Sequence, residues 1–230
     1  MKRSEINSAI RAAEAMVESH CFFLPPLAKW NPKAWLAQTQ DLTEIRNIGL
    51  GWDITDFGKG DFEAEGLVLF TLRNGRTNSD GTECGVPYAE KLLISRAGQV
   101  TLMHYHRQKT EDIIVRAGAP LAVKLFLVAD GGDVDRQSPV EVRLDGMHHV
   151  VEAGGTILVE RGASITLEPG CAHEFWGHGG DCLIGEVSSI NDDVSDNYFF
   201  EPISRFPEIE EDEAPYRLIV PDYLGLNRLA

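Results

Sequence analysis

Residues 98–118 read Gly-Gln-Val-Thr-Leu-Met-His-Tyr-His-Arg-Gln-Lys-Thr-Glu-Asp-Ile-Ile-Val-Arg-Ala-Gly, and the fold is decided here. Run as a β-strand, this stretch places Val100, Leu102, His104 and His106 on one face and Thr101, Met103 and Tyr105 on the other. Two imidazoles then share an apolar face. After a short turn through Gln108 to Thr110, a second strand carries Glu111, Ile113 and Val115 on one face, which aims a carboxylate into the same interior. A buried carboxylate beside two imidazoles is costly without a cation. Nitrogen and oxygen donors without a thiolate suit Mn, Fe, Co, Ni or Zn and do not choose among them.

The spacing Gly98, five residues, His104-x-His106, four residues, Glu111, six residues, Gly118 resembles the first signature motif of the cupins. Gly162, Gly170 and His173 fall in the register of the second cupin motif, with Pro169 one place late and Gly177 where the pattern often has Asn. The resemblance implies a mainly β protein, a cupin (jelly-roll-type) β-barrel, with His104, His106, Glu111 and His173 as its metal ligands.

Outward from the motif, many short runs separated by turn signals fit such a barrel. Tyr88 to Arg96 reads as a strand with Lys91, Leu93 and Ser95 on one face. Val140 to Leu144 and Met147 to Glu152 alternate about Asp145-Gly146, a strong hairpin signal, and His148 and His149 on the return strand read as residues of a partly exposed edge. Cys171 to Trp176 places His173 with Phe175, and Asp181 to Ser189 places Glu186 with Cys182, Ile184 and Ser188. Tyr216 to Val220 is expected to form one last strand. On the N-terminal side, Ser4 is expected to cap a helix whose Ile6, Ile10, Ala13 and Val17 recur at helical spacing, and Asn31-Pro32 to start a short one. Residues 1–50 are therefore expected to be a helical extension packed outside the barrel of residues 51–230, in a single domain overall. The alternative is that these helices, with Trp30, Trp35 and Trp52, form a subunit interface.

The likeness extends beyond the barrel. Tyr88-Ala-Glu-Lys91, Met103-His-Tyr-His106 with Glu111-Asp-Ile-Ile114, and Gly185-Glu-Val-Ser-Ser-Ile-Asn-Asp-Asp193 resemble the cupin-type D-lyxose isomerases, over a span from about Trp52 to about Pro215. The resemblance implies interconversion of D-lyxose and D-xylulose, with D-mannose and D-fructose as a further pair, usually with Mn2+, and a homodimer. Moving a proton between C2 and C1 through an enediol needs an acid-base group other than a carboxylate held by the metal. The candidates are Lys91, Glu186, Asp193 and Glu211, with Phe175 and Asp192 as substrate contacts. Two rivals use the same ligands: an Fe(II)-dependent cupin dioxygenase and a non-enzymatic sugar-binding cupin.

A formal charge of −15 over 230 residues argues against nucleic acid or an anionic membrane surface as partner. No apolar run approaches membrane-spanning length. No Arg/Lys cluster or Gly-rich helix start offers a phosphate site, so a free monosaccharide is the expected substrate. Cys21, Cys84, Cys171 and Cys182 are scattered and form no Cys-x-x-Cys pair. With an amphipathic N-terminus that lacks the apolar core of a signal peptide, they give the expectation of a cytoplasmic protein with reduced thiols. Cys171, two residues from His173, is read as a small buried residue and not a ligand.

Overall fold

The computed structural model describes residues 1–78 and 80–223, so the last part of the expected barrel, 224–230, lies outside the described residues. The chain begins with helix α1 (Arg3–Ser19), a 3-10 turn (Pro26–Lys29) and two short helices, α2 (Pro32–Leu36) and α3 (Thr43–Asn47). Strands follow as β1 (Gly51–Thr55), β2 (Leu67–Arg73), β3 (Arg76–Thr77), β4 (Glu83–Cys84), β5 (Tyr88–Ser95), β6 (Thr101–Tyr105), β7 (Glu111–Gly118) and β8 (Leu121–Val128). The remaining strands are β9 (Val134–Asp135), β10 (Val140–Leu144), β11 (Met147–Val151), β12 (Thr156–Val159), β13 (Ser164–Leu167), β14 (Cys171–Gly177), β15 (Cys182–Ser189) and β16 (Tyr198–Phe199).

Two antiparallel sheets face each other, as expected for a jelly-roll-type cupin barrel. One runs β1-β2-β5-β15-β7-β13-β10-β11 and the other β12-β8-β14-β6-β16. Side chains from both inner faces fill the space between them: Leu93, Ile113, Val115, Ile165 and Ile184 meet Val123, Leu125 and Phe175. The residues between these on β5 and β15, Leu92, Ile94 and Leu183, point to the opposite face and pack with Ile6, Ala9, Ile10, Ala13 and Val17 of α1. The sheet is thus covered on both sides, which is why β2 opens on an unbroken apolar run, Leu67 to Phe70, and β5 carries Leu92, Leu93 and Ile94 in succession. Each buried Ile or Val on the helix contributes roughly 2 kcal/mol.

Three sequence expectations are corrected. Helix α1 starts two residues earlier than a Ser4 cap would allow: the Lys2 N–H donates to the Glu5 carboxylate (2.6 Å), and Ser4 donates from N–H and Oγ to Asp212. Residues 216–220 form no strand beyond a single bridge from Ile219 to Trp52, because side chains take their backbone groups: Tyr216 N–H donates to Asn7 Oδ1 (2.8 Å) and Ile219 N–H to Asp222 (2.9 Å). Trp35 and Trp52 do not form an outer interface patch. Both are buried within the chain, and Trp52 Nε1 donates to Ala28 O at 3.0 Å. The α2 cap is as expected, with Asn31 Oδ1 accepting from Ala34 N–H.

Candidate metal centre and sugar site

The donor atoms of His104, His106, Glu111 and His173 all lie within 4.8 Å of one another, and all four residues are buried. His104 sits on β6 directly opposite His173 on β14. The ring orientations are fixed by backbone carbonyls. Nδ1 of His104 is 2.7 Å from Leu102 O, that of His106 is 2.5 Å from Asp196 O, and that of His173 is 3.1 Å from Cys171 O. A carbonyl can only accept, so each Nδ1 carries the proton and each Nε2 presents a lone pair. His106 Nε2, His173 Nε2 and Glu111 Oε1 are buried and have no hydrogen-bond partner. Glu111 Oε1 nevertheless lies 3.1 Å from His173 Nε2 and 3.5 Å from His106 Nε2. Lone pairs converging at these distances repel unless a cation lies between them, so the residues fit a divalent ion. Burial, then His173 and His106, hold the His104 imidazole well below its ordinary range. Burial alone would raise the Glu111 carboxyl, but the Lys109 ammonium holds it well below the usual carboxylate range. Cys171 is buried and its thiol is pushed up to about 12, chiefly by burial, which leaves it protonated and outside the ligand set.

The cavity beside these ligands is lined by three cations, Lys91, Lys109 and Arg205, and three anions, Glu111, Glu186 and Asp193. Strands β5 and β15 deliver Lys91 and Glu186 opposite each other, as alternation required. Glu186 Oε1 is shared by two ammonium groups, Lys109 Nζ at 3.1 Å and Lys91 Nζ at 3.3 Å. Lys109 Nζ is also 2.7 Å from Glu111 Oε2, and burial, which would lower it, is outweighed by Glu111 and Glu186, so its pKa is raised. Asn191 Oδ1 accepts from Lys91 (2.8 Å) and Lys109 (3.2 Å), and Asn74 fixes Asn191 through bonds to its backbone N–H and C=O, both 3.0 Å.

A strap from Asn191 to Arg205 contributes Asp193, Asn197, Phe199 and Arg205 to the cavity wall. It pairs with the edge of β6 through β16, and Phe199 stacks on the His104 ring with centroids 5.2 Å apart. The Asp196 carboxylate accepts from the N–H groups of Arg107, Gln108 and Lys109, which turns Lys109 inward. Arg205 bonds Asp193 (2.9 Å) and Asp53 (2.8 Å).

Of the residues expected at the site, Lys91, Glu186, Asp193 and Phe175 line the cavity. Glu211 and Asp192 do not. Glu211 is more than half exposed and pairs with Arg3 at 2.6 Å, because that buried guanidinium draws the acidic run onto α1. Asp192 closes its own turn, accepting from Val194 and Ser195 N–H. Sequence reading missed Lys109, Asn191, Asn197 and Arg205. It also missed Thr101, which strict alternation turns away from the ligands. Opposite β14, the residue pairs His104–His173 and Phe175–Thr101 leave three steps on β6 against two on β14. That extra residue is a β-bulge, and it rotates Thr101 onto the cavity face. The parity of Lys109 and Glu111 was a usable signal: extending β7 backward by two residues puts both on one face.

A family whose model is described as D-lyxose isomerase matches residues 1–223. A D-lyxose/D-mannose isomerase of Serratia proteamaculans is 42% identical over 227 residues, 97% of this chain and 98% of that protein. One from Escherichia coli O157:H7 is 41% identical over 226 residues, again 97% and 98%. Among solved structures, an L-ribose isomerase of Acinetobacter sp. DL28 superposes with a TM-score of 0.60 at 15% identity, covering 91% of this chain and 98% of that one, which is a likeness of fold.

Proposed function

The chain belongs to the D-lyxose isomerase family, and on that premise we propose that it interconverts D-lyxose and D-xylulose, and D-mannose and D-fructose, by moving a proton between C2 and C1 through an enediol. The observation that carries this reading is the placement of Glu186: a buried carboxylate that is not part of the ligand cluster, set in the same cavity and between two ammonium groups.

His104, His106, Glu111 and His173 would hold the ion; bound there, it supplies Lewis-acid stabilisation of the charge that develops on the sugar oxygens. Glu111 is committed to that set, which leaves Glu186 to take the proton from C2 on a carboxylate oxygen and return it at C1. Lys91 Nζ and Lys109 Nζ, both beside Glu186, donate to the oxygens at C1 and C2 as charge shifts between them. The Asp193–Arg205 pair and the Phe175 ring form further walls for hydroxyls and a C–H face. Each cationic side chain of the cavity is already paired with a carboxylate, Lys91 with Glu186, Lys109 with Glu111 and Arg205 with Asp193, so none stands free for a phosphate, in keeping with a free sugar.

Manganese is our reading of the metal, in keeping with three imidazoles and one carboxylate; Co2+, Fe2+, Ni2+ and Zn2+ share that donor preference. We also read the protein as a cytoplasmic homodimer. All four cysteines are unpaired, as in a reducing compartment, and among the described residues no helix is long and apolar enough to cross a membrane. The packing of α1 on the barrel supports residues 1–50 and the barrel acting as one unit.

The test is an anaerobic assay of metal-stripped protein reconstituted with Mn2+, following D-lyxose to D-xylulose with D-mannose in parallel. His106→Ala should abolish metal-dependent ketose formation. Glu186→Gln should keep the metal and lose about 10²–10⁴ in kcat, the usual contribution of a positioned acid-base group. Absence of ketose from the metal-loaded wild type refutes the reading. Oxygen consumption with Fe2+ would point instead to the dioxygenase.

A further inference from the structure

Buried polar side chains rarely go without a partner, and those that do ask for a reason. A bound divalent ion would account for His106 Nε2, His173 Nε2 and Glu111 Oε1. Thr101 Oγ1 is a different case. The residue is 4% exposed, its hydroxyl has no hydrogen-bond partner, and it lines the same cavity. It is also the residue that the β6 bulge turns inward. A bulge disrupts a ladder, and bulges concentrate beside active sites because they re-aim a side chain. Here the re-aimed side chain is a hydroxyl in a cavity wall that also carries Leu67, Leu69, Leu93 and Phe175, where an apolar residue of the same shape would leave no polar atom unpaired.

Resting on the sugar-isomerase reading above, we propose that Thr101 Oγ1 is a specificity-determining contact that hydrogen-bonds one substrate hydroxyl beyond C2. Position supports the far end of the sugar. Thr101 lies three residues from His104 along β6, roughly 10 Å or a little less at strand rise, which offsets it along the cavity from the ligand cluster. A hydroxyl both donates and accepts, as does a sugar hydroxyl, so the pair can satisfy each other in either sense. Thr101 is also held by the barrel and not by the strap, which makes it a fixed reference against which the chain of a sugar can be measured.

The test uses Mn2+-loaded wild type, Thr101→Val and Thr101→Ser, assayed on D-lyxose and on its 3-, 4- and 5-deoxy analogues, with bound Mn2+ and Tm measured for each protein. Thr101→Val keeps the shape and removes the hydroxyl. It should bind Mn2+ normally, hold its Tm, and lose about tenfold in kcat/KM on D-lyxose, with Thr101→Ser recovering most of that loss. One deoxy analogue should cost wild type a similar factor and cost Thr101→Val nothing further, while losses on the others multiply as independent effects do. A purely structural role would not produce that analogue-specific pattern. If valine lowers Tm or bound Mn2+, Thr101→Ser against Thr101→Ala carries the same comparison. Thr101→Val within twofold of wild type on D-lyxose, or an equal loss on every analogue, overturns the proposal while leaving the isomerase reading intact. Wild type that converts neither D-lyxose nor D-mannose removes both.

Discussion

Lys109→Met should destabilise the metal-stripped protein by about 3–5 kcal/mol, and much less once the ion is bound. The Lys109 ammonium lies 2.7 Å from Glu111 Oε2 and 3.1 Å from Glu186 Oε1, and all three side chains are at most 6% exposed. With an effective dielectric of 20, contacts at these distances carry about 6 and about 5 kcal/mol of direct attraction. Methionine fills similar volume and returns the several kcal/mol that the buried ammonium spends on desolvation, so the net loss falls in the range measured for breaking buried pairs. For a domain whose whole stability is roughly 5–15 kcal/mol this is a large effect. Binding of Mn2+ gives Glu111 a new counter-charge, and Glu186 still has Lys91 at 3.3 Å. Adding Glu186→Gln to Lys109→Met should cost less than the two single changes together, with a coupling of about 1–3 kcal/mol. Urea unfolding followed by tryptophan fluorescence, with and without Mn2+, measures all four proteins in both states. A loss below about 1 kcal/mol in the metal-stripped form, or equal losses with and without metal, would refute the reasoning.

Other outcomes follow from the same geometry. Burial pushes the Cys171 and Cys182 thiols up to about 12, whereas Cys21 and Cys84 are exposed; an aromatic disulfide reagent at neutral pH should label two thiols per chain quickly and the other two only in denaturant. Burial would raise the Asp193 carboxyl, but Lys91 and Arg205 hold it well below its ordinary 3.8, so its stabilising contribution is complete above that value and is lost as pH falls toward the lower folded one. Asp193→Asn should therefore be less stable at neutral pH, with a shallower fall below about pH 4 in urea midpoints; parallel curves would contradict this. Gly118 has φ +83° and an added Cβ would lie 2.2 Å from Asp181 O, while Gly98 has φ +73° and open space around it. Gly118→Ala should cost about 3 kcal/mol and Gly98→Ala about 1 kcal/mol, read from Tm and urea midpoints, and equal costs would remove the distinction.

The parts of the molecule that alternation governs were legible in the sequence. Lys91, Glu186, His173 and Phe175 lie on strands that keep their own alternation, so their direction followed from parity. The parts set by long-range side-chain bonds were not. No local pattern announces that Arg3, buried in the first turn of α1, pairs with Glu211 and Asp222, and this contact carries the acidic run away from the cavity. Residues 191–205 have little regular structure, so Asn197 and Arg205 looked like any loop residues, and Lys109 was read as part of a turn because its inward course depends on three N–H bonds to Asp196. The bulge in β6 defeated the Thr101 assignment for a related reason: a period of two cannot reveal where it slips.

The carbonyl of Asp196 that accepts from His106 Nδ1 belongs to the strap, 90 residues away in sequence, and not to the barrel that carries the imidazole. Because this acceptor is a peptide group, what takes it away is displacement of the strap, and the three N–H bonds to the Asp196 carboxylate are among the contacts that hold the strap there. The coordination sphere is therefore bolted from outside. Displacement of the strap would remove the acceptor that orients this imidazole. Affinity for the ion is thereby tied to the seating of the strap.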